Sequence, residues 1–311
     1  MLRGTVGVAL GSGSSRGFAH IGVMRALVEA GIRPTIVCGC SAGAMVGAVY
    51  AAERLDELED WARKLDRRQV MGLIDVSLRG GALRGRRMIE QVGSFLPEGA
   101  SVESLPTRFG AVATDLETGR EVWLRKGNLL DAIHASSAVP GVISPVRIDG
   151  RWLVDGGVVN PVPIALCRAL GADTVIAVDL NASLLARRFR GEAEVAPPPK
   201  LPAPQSEGPG APPGAIQQAW ADLRQRFVGT SEPAPPGPES PGLYDVLNNT
   251  LEIMQVRITR SRMAGDPPEL LITPRLPDFA LLDLHRAGEA IDEGRHATQR
   301  TLASLADAPA R

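Results

Sequence analysis

Two stretches of this sequence fit the pattern G-x-S-x-G, which in many hydrolases presents a serine oxygen on a sharp turn. One is Gly39-Cys40-Ser41-Ala42-Gly43 and the other is Gly13-Ser14-Ser15-Arg16-Gly17. The pattern is short, so its surroundings must decide. Ser41 follows the β-like run Thr35-Ile36-Val37-Cys38 and precedes a helical run rich in Ala and Gly, from Ala42 to Ala52. A strand-to-helix turn of that kind strains the serine, tolerates only small neighbours and aims a helix N-terminus at the hydroxyl. Ser15 has Arg16 as its next neighbour and sits among glycines and serines. Ser41 is the better nucleophile, with an ordinary small-residue turn as the plainer alternative.

The other stretch, extended to Gly11, also joins a strand to a helix. Gly11, Gly13 and Gly17 free the backbone, so that consecutive amides can converge on an anion. A dinucleotide fingerprint would require an acidic residue at the end of the next strand. That strand runs instead into Gly39-Cys40-Ser41. An oxyanion hole for an ester carbonyl attacked by Ser41 is the alternative. Both turns follow strands, and a parallel sheet gathers its ligand site at strand carboxyl ends.

A serine nucleophile needs a base, and the chain has only four histidines. His20 and His134 fall on helices and read as structural; His285 and His296 fall on a polar C-terminal helix and read as solvated. Asp155 is the stronger candidate. It ends the strand-like Arg151-Trp152-Leu153-Val154, and Gly156-Gly157 breaks that strand at once. A carboxylate on a bare strand end can take a serine proton directly. The plainer reading is a turn aspartate bonded to its own backbone, as expected for Asp149-Gly150.

The elements that must position these groups alternate. Strand signals at 5–10 and 35–40 are each followed by a helix, and 53–104 is mostly helical and charged. Hairpins are expected over 108–127 and 146–157, a helix over 128–138, then a helix and strand over 163–180. This order predicts a layered α/β fold with a largely parallel sheet. About 190–242 is rich in Pro and reads as a disordered insertion within one domain spanning 1–311, holding a short helix at 215–229. After it, Leu243, Val246, Leu247, Leu251, Met254 and Ile258 fall at helical spacing and predict one apolar face. A strand over 269–274 and a helix over 281–305 close the chain.

With 311 residues, 44% hydrophobic, the chain can bury a sizeable core, and its net charge of −1 gives nucleic-acid binding no electrostatic support. The N-terminus does not read as a signal peptide, and no apolar run nears the ~18 residues of a membrane span. The three cysteines lie in apolar segments and read as buried and reduced, as in a cytoplasmic protein.

The ordered set Gly-Ser-Gly-Ser-Ser-Arg-Gly (11–17), Gly-Cys-Ser-Ala-Gly (39–43) and Asp-Gly-Gly (155–157) resembles the patatin-like phospholipase family, especially its short bacterial members. The text between agrees, including Ala-Ser-Ser-Ala-Val-Pro-Gly at 135–141. The resemblance covers most of the chain apart from the Pro-rich stretch. It implies a three-layer patatin-like fold and a Ser41–Asp155 dyad that needs no histidine, metal or organic cofactor. It also implies an oxyanion hole from the amides of Ser12, Gly13 and Ser14, supported by Gly11, Arg16 and Gly17. Gly39 and Gly43 would frame the elbow, and Gly156 and Gly157 would follow the base. Many relatives carry three successive glycines in the loop, where this chain has Ser12 and Ser14, whose Cβ atoms restrict the backbone.

The implied activity is hydrolysis of lipid acyl esters in the cytoplasm, peripheral at the inner membrane surface, with a lipid or ester as substrate. Arg79, Arg84, Arg86 and Arg87 could meet lipid phosphates, although a solvated basic loop is the plainer reading. The rival from another class is a catalytically quiet regulatory or lipid-binding protein on the same fold.

Overall fold

Short apolar runs without polar alternation form the middle of the sheet, as strands covered on both faces must. In the computed structural model, which describes residues 4–73, 85–184, 243–276 and 278–306, these runs are β1 (Val6–Leu10), β2 (Ile36–Gly39) and β7 (Thr174–Val178). The remaining strands are β3 (Arg108–Asp115), β4 (Glu121–Leu124), β5 (Val146–Ile148), β6 (Arg151–Asp155) and β8 (Leu270–Ile272). The helices are α1 (Ala19–Glu29), α2 (Ala42–Ala51), α3 (Leu55–Arg63), α4 (Arg67–Leu73), α5 (Arg86–Gly93), α6 (Leu129–Ser136), α7 (Ile164–Ala169), α8 (Leu243–Gly265) and α9 (Ala287–Ala306). The chain divides into two compact units, Met1–Gly191 with Leu247–Arg311, and Glu192–Val246. The site lies in the first. The expected Pro-rich insertion and its short helix fall outside the described residues.

The eight-stranded sheet is mixed. Hydrogen-bonded neighbours run β5-β6-β3-β2-β1-β7-β8, with β4 also on β3. The pairs from β3 through β2, β1 and β7 to β8 are parallel, whereas β4 and β6 run antiparallel to β3 and β5 antiparallel to β6. One face packs on α1, α2, α3, α5, α6 and α9. The other packs on α7 and on Met263 of α8. This is the layered α/β architecture expected, with the parallel part confined to one side of β3. Both expected hairpins form, and Asp149 and Gly150 turn the second with φ of 49° and 80°, the left-handed pair that a two-residue hairpin needs.

Two helices depart from the sequence reading. The apolar stripe of α8 points outward, with Leu247 and Met254 53% and 44% exposed, while Val256 and Thr259 are buried. Buried polar groups decide this rotation. Glu252 reaches Arg16 at 2.9 Å, and Gln255 Oε1 accepts from Ser12 Oγ at 2.8 Å. Leaving such groups unpaired would cost more than exposing part of an apolar stripe. The last helix begins at Ala287 rather than at 281, and on its inner side Ala287, Ala290, Ile291, Ala297 and Thr298 are buried. Small residues permit that approach, since a Cβ on Gly22 of α1 would lie 1.8 Å from the Ile291 carbonyl oxygen. Among the described residues no helix is long and apolar enough to cross a membrane.

Candidate active site

Strand register brings the two chemical groups together. The Arg108 N–H bonds the Thr35 carbonyl at 3.2 Å, on the β2 side of β3, and the Leu116 N–H bonds the Trp152 carbonyl of β6 at 2.8 Å. The Asp115 N–H instead bonds the Arg120 carbonyl at 2.9 Å, on the β4 side. Backbone groups alternate in direction along a strand, so the even-numbered amides of β3 face both β2 and β6. Those two strands therefore share one edge of β3 and run toward each other. β2 stops with Gly39 opposite Ala111, and β6 stops with Asp155 opposite Ala113. Only Val112 separates the two strand ends.

At the end of β2, Ser41 holds φ 56° and ψ −121°, a sparsely populated conformation that costs about 1–3 kcal/mol unless its surroundings enforce it. They do. The Ser41 N–H bonds Ser136 Oγ at 3.1 Å, and Ser137 Oγ donates to the Ser41 carbonyl at 3.2 Å. One residue on, the Ala138 carbonyl accepts the Asp155 N–H at 3.0 Å. Three consecutive residues at the end of α6 thus fix both halves of the site. Glycine is needed at the elbow because a Cβ on Gly43 would lie 2.1 Å from the Leu10 carbonyl oxygen, and one on Gly39 would lie 2.4 Å from Ala44.

Asp155 divides its carboxyl. Oδ1 accepts the Gly157 N–H at 2.6 Å, the expected turn bond. Oδ2 is buried without a closed hydrogen bond to any described residue. The Ser41 side chain lies close enough to favour the charged carboxylate, as does the Gly157 amide, but burial outweighs both and raises the pKa to about 6. Gly156 lets the chain turn away from β3, since a Cβ there would lie 2.2 Å from the Val112 carbonyl oxygen. Ser41 is 7% exposed and Asp155 2%.

The loop from Gly11 to Gly17 lies beside the elbow because β1 and β2 are parallel neighbours, with Leu10 opposite Gly39. A Cβ on Gly17 would lie 2.3 Å from that of Ala42, so the loop packs against the first residue of α2. The amides of Gly11 and Ser12 are already committed, to the Val178 carbonyl at 3.0 Å and the Pro161 carbonyl at 2.9 Å. Ser12 therefore departs from its expected place among the oxyanion amides. Its hydroxyl instead pins the loop to Gln255 (2.8 Å) and Asn181 (3.3 Å). The Gly13 and Ser14 amides have no acceptor among the described residues. A Cβ on Gly13 would meet the Leu180 side chain at 2.6 Å.

Arg16 braces the loop from within. Its guanidinium reaches Asn181 (3.0 Å), Glu252 (2.9 Å) and the Phe279 carbonyl (3.3 Å). His20 is a second brace. Burial lowers its pKa to about 4, so the ring is neutral and its Nε2–H donates to the Gly11 carbonyl at 2.8 Å. Burial also lowers the pKa of His134. His296 is exposed and His285 half-buried, and no histidine bonds Ser41 or Asp155 among the described residues. Arg86 bonds Glu90 and Arg87 bonds the Gly72 carbonyl, while Arg79 and Arg84 fall outside the described residues.

A cavity of about 140 Å³ opens at Ser41, and its lining includes Ser14, Ala42, Ser137, Trp61, Met88 and Leu282. The sequence reading missed the parts played by Ser136, Ser137, Asn181 and Gln255. No local signal marks them, since each acts on a partner at least 74 residues away.

Fold and site together define a layered α/β protein that presents a serine on a strand-to-helix elbow, next to a glycine-rich loop and a buried carboxyl. The model of the family "Patatin-like phospholipase" matches residues 8–168. An uncharacterized NTE family protein of Mycobacterium tuberculosis is 37% identical over 93% of this chain and 89% of its own length. The chain belongs to the patatin-like phospholipase family. It is also similar to mouse patatin-like phospholipase domain-containing protein 6, at 32% identity over 57% of this chain and 14% of the mouse protein. Among solved structures, VipD from Legionella pneumophila aligns over 98% of this chain and 67% of its own at 13% identity, with a TM-score of 0.46.

Proposed function

We propose that this protein hydrolyses lipid acyl esters through an acyl-enzyme, with Ser41 as nucleophile and Asp155 as general base. The observation that carries the reading is the divided carboxyl: Oδ1 is spent on the Gly157 amide, and Oδ2 remains buried beside Ser41 with no other partner among the described residues. A pKa of about 6 keeps that carboxyl ionised at neutral pH and makes it a stronger base than an exposed aspartate.

Ser41 Oγ attacks the acyl carbonyl as its proton passes to Asp155. The carbonyl oxygen becomes an oxyanion, held by the Gly13 and Ser14 amides, which have no acceptor to give up among the described residues. Collapse breaks the ester C–O bond, and the alcohol leaves with the proton from Asp155. Water then attacks the acyl-serine, giving its proton to Asp155. The second tetrahedral intermediate collapses, and the proton returns to Ser41 as the acid departs. The apolar cavity beside Ser41 takes the acyl chain.

A fluorophosphonate probe tests the nucleophile by mass spectrometry. Labelling of the native protein at Ser41 is expected, and its absence would refute the enzyme reading. Ser41→Ala and Asp155→Asn are each expected to abolish turnover of p-nitrophenyl esters. Retained activity in both would refute the dyad.

A further inference from the structure

Three serines stand in the loop between Gly11 and Gly17, and two of their hydroxyls hold the fold together. Ser12 Oγ bonds Gln255 and Asn181, and Ser15 Oγ donates to the Ala280 carbonyl at 2.6 Å. The Ser14 hydroxyl bonds no described residue. Its backbone is also strained, with φ at 51°, a left-handed conformation that costs a residue bearing a Cβ about 1–2 kcal/mol and glycine nothing. Neither its hydroxyl nor its amide bonds a described residue that would offset that strain. Ser14 lines the same cavity as Ser41 and Ala42. A strained residue with an unused polar group, facing the cavity that holds the nucleophile, is where strain serves function rather than folding.

We propose that the Ser14 hydroxyl is a catalytic donor to the developing oxyanion, acting beside the Gly13 and Ser14 amides. The inference rests on the hydrolase reading above. During attack by Ser41 the carbonyl π electrons move onto the acyl oxygen. The Ser14 O–H donates a hydrogen bond to that oxygen without transferring its proton, and the bond weakens again when the carbonyl re-forms. A donor engaged mainly by the charged oxygen lowers the barrier more than it strengthens substrate binding. Ser14 therefore acts on kcat, and its removal leaves KM nearly unchanged.

Ser14→Ala, Ser14→Gly, Ser41→Ala and the native protein are compared for kcat and KM on a short p-nitrophenyl ester, with a thermal melt of each. Ser14→Ala keeps the Cβ and removes only the hydroxyl. Ser14→Gly also relieves the strain. Both are expected to lose roughly 10–100-fold in kcat, at or below the loss known for removing one oxyanion donor, with KM changed less than about 3-fold. Ser14→Gly is expected to melt no lower than the native protein, so that its loss of rate is not a loss of fold. Native kcat in either Ser14 variant overturns the proposal, as does a defect confined to KM. A native protein no more active than Ser41→Ala overturns the hydrolase reading, and this proposal with it. Full native activity that survives Ser14 substitution overturns this proposal alone.

Discussion

Replacing Asp155 with Asn should stabilise the fold at neutral pH while removing activity. Burial lifts this carboxyl from 3.8 to about 6. At about 1.4 kcal/mol per pH unit, holding it ionised inside the fold costs about 3 kcal/mol. The sign follows from proton binding. Between pH 3.8 and about 6 the unfolded chain gives up this proton while the fold retains it, so the contribution is favourable below 3.8 and lost as pH rises through 6. Asn removes the charge, and its oxygen can still accept the Gly157 N–H bonded by Oδ1. Asp155→Asn should therefore gain up to about 3 kcal/mol at pH 8, roughly 5–10 °C in melting temperature for a domain of this size. The gain should shrink toward zero near pH 4, where the native carboxyl is itself protonated. Melts of both proteins at pH 4, 6 and 8 give the comparison. A variant that melts lower than the native protein at pH 8, or a gain independent of pH, would refute the account of Asp155 as a carboxylate held ionised against burial.

Two further predictions concern rate and the elbow. The same carboxyl must be ionised to accept the Ser41 proton, so kcat/KM for a neutral ester should rise with pH through about 6 and then level off; a pH–rate profile flat from 5 to 8 would exclude Asp155 as the base. Ser136→Ala leaves the Ser41 N–H at a strained, buried turn without its 3.1 Å acceptor. That should cost about 1–3 kcal/mol in a urea melt and lower kcat more than it raises KM, and native values for both would show that Ser136 does not hold the elbow.

Sequence alone specified features set by local backbone constraint. The small residues around Ser41 were readable because a strand that turns at once into a helix leaves no room for Cβ atoms, and the contacts at Gly39 and Gly43 express that limit. The two-residue turn at Asp149-Gly150 was readable for the same local reason, a pair of residues at positive φ. Strands buried on both faces were legible as apolar runs because no polar group tolerates either side of them.

Tertiary structure decided what depends on partners distant in sequence. The placing of Asp155 two residues of β3 beyond the end of β2 comes from two strands sharing one edge of β3, a register that neither strand carries in its own residues. The outward turn of the apolar stripe on α8 follows from the need of Ser12 and Arg16 for partners on that helix. Only the fold assigned the loop serines separate tasks. Ser12 spends its amide and hydroxyl on bonds within the protein, and Ser14, at the cavity, bonds no described residue with either. Sequence names a residue's chemistry, but the neighbours that use up that chemistry are supplied by packing.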